Sequence, residues 1–441
     1  MFRFHSAYWR RASATGLALI CTAAAAADSF EQWGVLALLE GPGDASRATS
    51  VTVDDALHVI TGGSIRENGI WTPVYWETPE SEPTILECLG AGGNVRDVLY
   101  DTEIRGAGFC YDANDLEQPI FWETPFTLWL LPMLPGGGRV IDVAWDPVAN
   151  EYAMCGTTIA GSGVQFGCYW TLDVTTGAIY WALMQPLNTY DSAALHIGLA
   201  PDGQTRIVGW SHDATNTPRA VYWDMPLTPA PVELLELSGN GAEAYTMGTV
   251  LGLKIFAGNA IDAAGNMRPV GWGSDLIAPQ DMGSPGFDDA TVEKLIVVDD
   301  AIYSFGHAID ATDIEHAYGW IFEGTTTTYA LDLNTIVFDD AAPEMRVVND
   351  AVARVDTTFT RVYAVGNGRD ELDELQAWVG RQLDIADINR DGIVDLSDLG
   401  EVLAGFGMTS GATRDDGDLD NDSDVDLSDL GVVLANYGSH V

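Results

Sequence analysis

A glycine followed fourteen positions later by a tryptophan keeps returning along this chain. The pairs are Gly62/Trp76, Gly108/Trp122, Gly156/Trp170, Gly209/Trp223, Gly258/Trp272 and Gly306/Trp320, with Gly366/Trp378 two residues shorter. Successive tryptophans stand 46, 48, 53, 49, 48 and 58 residues apart. A period of that size is one small supersecondary unit that stacks on copies of itself.

The residues around the frame say what the unit is. A short apolar run precedes each glycine, as in Arg206-Ile-Val, Lys254-Ile-Phe-Ala and Ala301-Ile-Tyr-Ser-Phe. A polar turn follows, such as residues 213–218, and an aromatic run then ends at the tryptophan. Together these form a β-hairpin. A third strand follows the tryptophan (Pro231-Val-Glu-Leu-Leu-Glu-Leu237), and a fourth precedes several hairpins (Val140-Ile-Asp-Val-Ala144). Four strands per repeat, about seven times over, describe a mainly β, seven-bladed β-propeller. Residues 278–285 make a poor outer strand. The segment Gln32-Trp-Gly-Val-Leu-Ala-Leu-Leu-Glu40 reads as a strand without a hairpin of its own, while none follows Trp378. The N-terminal strand is therefore expected to complete the last blade and close the ring.

The frame G-x-S-x-D-x-x-x-x-x-x-A-x-x-W, carried by residues 209–223 and 306–320, resembles the extracellular HAF repeats of bacterial secreted proteins. The naming triplet survives as His316-Ala-Tyr318. The resemblance covers most of residues 50–380 and implies a secreted propeller with no assigned activity.

Residues 1–27 read as a signal peptide: Arg3, Arg10 and Arg11 precede the apolar run 14–23, which ends in alanines. Residues 28–382 then form the propeller and 383–441 a separate domain. No stretch reaches the roughly 20 apolar residues of a membrane span, so a secreted, soluble protein is expected. With 65 acidic and 20 basic residues the net charge is −45. Nucleic acid and anionic lipid, both polyanions, are excluded as natural partners. Of the four cysteines beyond the signal segment, Cys155 and Cys168 stand on the two arms of one hairpin and are the first candidate disulfide. Cys88 and Cys110 then pair by elimination, and four free thiols remain the alternative.

After Trp378 the composition changes. Residues 387–398 (Asp-Ile-Asn-Arg-Asp-Gly-Ile-Val-Asp-Leu-Ser-Asp) and 418–429 (Asp-Leu-Asp-Asn-Asp-Ser-Asp-Val-Asp-Leu-Ser-Asp) place oxygens at positions 1, 3, 5, 9 and 12 of a twelve-residue loop. A hard cation such as Ca2+ needs six to eight oxygens gathered round a sharp turn. The ligands of the first ion would be Asp387, Asn389, Asp391, the carbonyl of Ile393, Asp395 through water, and Asp398. Those of the second would be Asp418, Asp420, Asp422, the carbonyl of Asp424, Asp426 and Asp429. Without metal, four carboxylates in one loop and six in the other repel one another, so two calcium ions should couple to folding. Each loop leads into a helix whose apolar stripe (Leu399, Val402, Leu403, Phe406; Leu430, Val433, Leu434, Tyr437) can pack on its twin.

This duplicated loop-helix unit resembles a type I dockerin over residues 387–438. Aspartate at position 12 fits that pattern, while Ser423 replaces the turn glycine of the second loop. The positions at which dockerins choose partners are Leu396-Ser397 and Leu427-Ser428. The resemblance implies a small α-helical, EF-hand-like, calcium-binding domain that attaches the propeller to a cohesin-like protein or cell-surface component.

Catalytic residues are scarce. Glu77, Glu123 and Asp224 follow their tryptophans at equivalent positions, which argues for a structural role. His196, His212, His307 and His316 are scattered. Two functions fit: a binding or scaffolding propeller on a docking module, or a carbohydrate-active enzyme (polysaccharide hydrolase or lyase), since dockerins accompany polysaccharide breakdown. No acid–base pair can be named for the second.

Overall fold

The computed structural model describes residues 33–438 apart from 40, 42–44, 91, 189–190, 200–203, 226–229, 251–252, 274–277, 299–300, 324–325, 336–343, 356–359, 370–373, 383–385, 390–392 and 420–422. The signal segment lies outside the described residues. Seven four-stranded antiparallel sheets follow one another, each ordered from an inner strand outward, so the chain is a seven-bladed propeller. Trp33–Leu39 pairs antiparallel with Leu375–Gln382 and supplies the outer strand of the last blade, closing the ring as expected. Outer strands shrink to two residues at Thr84–Ile85, Val232–Glu233 and Gln280–Asp281, the last within the segment that reads poorly as a strand.

The frame glycine exists because the inner strand presses on it. A Cβ on Gly209 would stand 1.9 Å from the Ala193 carbonyl oxygen, and one on Gly306 2.0 Å from that of Thr291. Gly209→Ala is expected to destabilise the fold by about 2 kcal/mol or more through forced strand separation, read as a lowered melting temperature. The first blade uses Gly63, 1.9 Å from the Arg47 carbonyl, where the spacing pointed to Gly62.

The frame tryptophans are the largest fully buried side chains. Five indoles donate to a carbonyl of the preceding blade: Trp122 to Glu87, Trp170 to Pro132, Trp272 to Leu235 and Trp320 to Gly283, each at 2.7 Å, and Trp223 to Gln185 at 2.9 Å. The frame therefore staples blade to blade. The last pair differs in kind: Gly366 lies opposite Trp378 itself, whereas Gly306 lies opposite Tyr318. Gly380 stands at the tryptophan register, opposite Ala364, so the shorter spacing is a relocated side chain and not a shorter hairpin.

The repeat aspartates close the hairpin turns. Asp213 Oδ1 accepts from the Thr215 and Thr217 N–H groups, Asp262 from those of Ala264 and Asn266, and Asp310 from those of Thr312 and Ile314. Asp224 forms a two-point ion pair with Arg206, and Glu123 accepts from the Trp129 indole. Both are structural.

Cys88 and Cys110 form a disulfide, while Cys155 and Cys168 are buried free thiols, which corrects the first candidate pair. The reason is register: Cys168 lies opposite Gly156, one residue from Cys155, and a one-residue offset puts two side chains on opposite faces of a sheet. Cys155 accordingly packs beside Trp223 and Cys168 beside Trp170.

Candidate functional site

Two places gather chemistry. The first is the C-terminal module, where the helices α1 (Leu396–Gly405) and α2 (Leu427–Asn436) each begin from an acidic loop. The two halves are built alike. Asp398 Oδ1 accepts from the Ile388 N–H at 2.7 Å and Asp429 Oδ1 from that of Leu419 at 2.6 Å. Their Oδ2 atoms accept from the N–H groups of Asp395 and Asp426, whose own carboxylates cap Ser397 and Ser428. Gly407 N–H bonds the Val425 carbonyl and Gly438 N–H that of Val394, so each helix end grips the opposite loop.

Most of the expected ligands lie among the described residues. Asp387, Asp398, Asp418 and Asp429 are all buried. The carboxylates of Asp424, Asp426 and Asp429 lie within 4.8 Å of one another, so Asp424 contributes its side chain to this group. Asp418 Oδ2 accepts from the Ser423 N–H at 2.9 Å, while its buried Oδ1 has no hydrogen-bond partner among the described residues. A buried carboxylate oxygen without a partner, in the same loop as three converging carboxylates, is a donor set that could hold a metal ion. Asn389 and Ile393 lie in the first loop, with Asp395 capping α1. Asp391, Asp420 and Asp422 lie outside the described residues.

Ser423 sits at φ 72°, the left-handed region that the turn glycine would occupy without strain. Ser423→Gly should therefore relieve about 1 kcal/mol, expected as about fivefold tighter cation binding by the second loop, read by calorimetric titration.

The helix stripes pack differently from the sequence reading. Val402 and Val433 are buried and Leu399 and Leu430 partly so, but Leu403 and Leu434 are each 56% exposed, with Phe406 and Tyr437 half exposed beside them. The loops supply the rest of the core through Ile388, Val394, Leu419 and Val425.

The second place is the propeller's channel. All seven inner strands carry a β-bulge at one level, after Ala48, Val95, Val140, Ala194, Ala244, Val292 and Val348. The residue that resumes the register is Ser50, Asp97, Asp142, His196, Thr246, Lys294 or Asp350. These seven form a ring around the channel. Asp350 Oδ2 accepts from the Val51 N–H, Ser50 Oγ from that of Val98, Asp97 Oδ2 from that of Val143, Asp142 Oδ2 from that of Ile197, and Thr246 Oγ1 from that of Leu295. Each links its blade to the next.

Two close contacts complete the ring: the Lys294 Nζ ion pair with Asp350 Oδ1 at 2.8 Å, and His196 Nδ1 2.7 Å from Asp142 Oδ2. Burial and the neighbouring Asp142 carboxylate hold the Asp97 carboxyl well above the usual range. Burial would raise Asp142 too, but His196 and a hydrogen bond from Asp97 hold it well below. Burial disfavours the Lys294 ammonium, yet Asp350, Asp142 and Asp97 push its pKa up. The ring floors a cavity of about 410 Å³ walled by Val143, Ile197, Met247, Leu295 and Ile296. Asp97 and Asp142 are an unequal acid pair, but they bond each other directly, closer than the 5 Å or more that separates the carboxyls of a glycosidase.

Sequence reasoning missed the ring apart from noting His196 as scattered. Its members stand at varying distances before the frame glycine, eleven residues from Asp97 to Gly108 and sixteen from Asp350 to Gly366, so the period does not align them.

Fold and site together define a propeller carrying a paired loop-helix module. No family model matches the chain, and no curated protein matches its sequence. Among solved structures, a protein of unknown function from Dyadobacter fermentans is similar at 10% identity, TM-score 0.45, over 80% of this chain and 98% of that one. A glucose dehydrogenase reaches TM-score 0.40 at 10% identity over 79% and 98%. A thermostable family-43 glycoside hydrolase reaches 0.34 at 10% identity over 64% and 86%. Likeness this distant carries no functional argument.

Proposed function

We propose that this chain is a secreted calcium-binding protein in which a binding or scaffolding propeller is attached, through a dockerin-like module, to a cohesin-like protein or cell-surface component. The observation that carries this reading is the two-fold repetition of the C-terminal module. Leu396 and Leu427 are 70% and 72% exposed at matching positions, and Leu403 and Leu434 match again. Matched apolar side chains left in water on paired helices suit a protein partner, and they stand within or just after the acidic loops that would order them.

Export is supported by the signal-like segment and by the Cys88–Cys110 disulfide, a bond that persists in oxidising compartments. Among the described residues no helix is long and apolar enough to cross a membrane. Calorimetric titration of calcium into the full chain, followed by capture on immobilised cohesins with and without calcium, tests the reading. Two saturable sites and calcium-dependent capture are expected; absence of calcium binding would overturn it. Release of reducing ends from plant or algal polysaccharide would replace the binding propeller with an enzyme.

A further inference from the structure

The channel mouth at the start of the inner strands holds a different set of charges from the ring. Arg47 and Arg139 occupy equivalent positions on the inner strands of the first and third blades, opposite Ser64 and Thr157. Between them, on the second blade, Arg96 is the residue extruded by the bulge. Three of the chain's 20 basic residues thus converge on one side of the mouth in a protein of net charge −45.

Their charge is only partly answered. Glu117 holds Arg139 with two bonds of 2.8 Å. Arg47 lies over the Trp71 ring, 4.1 Å from its centroid, and has neither a hydrogen bond nor an ion pair among the described residues. Arg96 likewise has neither, and its buried Nε is without a partner. Burial and the neighbouring Arg139 weaken its hold on its proton, with Arg47 adding to this and Glu293 and Glu117 opposing it.

Glu293, the extruded residue of the sixth blade, interacts with Arg96 although their blades are not adjacent. Two groups so placed meet only across the channel, so both project into it. Burial pushes the Glu293 carboxyl up to about 7, leaving it a poor counter-charge near neutral pH. Glu243, Tyr245 and His307 are its other titratable neighbours.

We infer that this mouth is a binding site for a small anionic ligand, a molecule bearing a carboxylate, sulfate or phosphate group, with the Arg96 guanidinium as its principal partner and Arg47 and Arg139 beside it. A planar guanidinium matches the two oxygens of such a group. The surrounding acidic surface repels anions in general, so occupancy requires this local excess of cations. The site rests on the reading of the propeller as a binding unit and is independent of the calcium module.

The test is calorimetric titration of the calcium-loaded full chain with D-galacturonate and with sodium sulfate, using D-galactose as the uncharged match. Saturable binding of galacturonate or sulfate at one site per chain, with none of galactose, is expected. Arg96→Gln should weaken it at least tenfold at an unchanged melting temperature; if that variant does not fold, Arg47→Gln should weaken it severalfold. Glu293→Gln should bind as tightly at pH 8 as at pH 6, whereas the native chain should lose affinity from pH 6 to pH 8 as Glu293 ionises. Equal binding of galactose and galacturonate, no binding of either anion, or unaltered affinity in the folded arginine variant would overturn the site. Because calcium stoichiometry is read separately, its loss would not mimic any of these results.

Discussion

Trp223→Ala is expected to destabilise the propeller by about 3–5 kcal/mol, the largest effect of any single substitution considered. The indole is fully buried among Cys155, Met184, Ile207, Val221 and Met225, so truncation opens a cavity in the core. It also deprives the Gln185 carbonyl of its donor at 2.9 Å. Denaturant unfolding followed by tryptophan fluorescence measures the loss, and Trp223→Phe, which keeps most of the volume but not the N–H, should recover more than half of it. A near-neutral alanine variant would show that neighbouring blades are not held together through these indoles.

Removing calcium should unfold the C-terminal module while the propeller stays intact. The carboxylates of Asp424, Asp426 and Asp429 lie within 4.8 Å of one another and Asp418 Oδ1 has no partner among the described residues, so like-charge repulsion opposes this arrangement unless a cation joins it. The module's core is small, eight buried apolar side chains from Ala386 to Val433 among the described residues, and cannot offset that repulsion by burial alone. Chelation is expected to abolish the helical signal of α1 and α2 and to expose the segment to protease, with the main thermal transition unmoved. Replacing Asp387 and Asp398 together should reduce the bound ions from two to one. An unchanged circular-dichroism spectrum in chelator, or unaltered stoichiometry in the double variant, would remove the metal assignment.

The architecture was legible because its causes are local and repeated. A tryptophan that fills the gap between blades and a glycine that lets the inner strand approach are needed in every unit, so blade number and ring closure followed from the sequence. The finer errors have one source. Gly62 for Gly63, Trp378 as a frame residue, and the Cys155–Cys168 pair all depended on strand register, and a bulge or a moved side chain changes register without changing the pattern of residue types. The ring escaped notice for the same reason, compounded by chemistry: Ser50, Asp97, Asp142, His196, Thr246, Lys294 and Asp350 share a place but no residue type. In the C-terminal module the loops were readable from oxygen spacing. The outward-facing Leu403 and Phe406 were not, because a helical stripe looks the same whether it meets its twin or is left for a partner.

Ring closure by Trp33–Leu39 also dictates when the propeller can finish folding. Its pairing joins Trp33 to Gln382, so the first strand of the blade region to emerge in synthesis must wait for one of the last. Contacts of such long sequence separation form late and slowly. Until then the seventh blade presents an open edge and the ring's hydrogen bonds from the Ser50 hydroxyl and the Val51 N–H to Asp350 cannot form. The late closing of this pair, more than the stability of any single blade, therefore sets the interval during which an incomplete ring is open to aggregation.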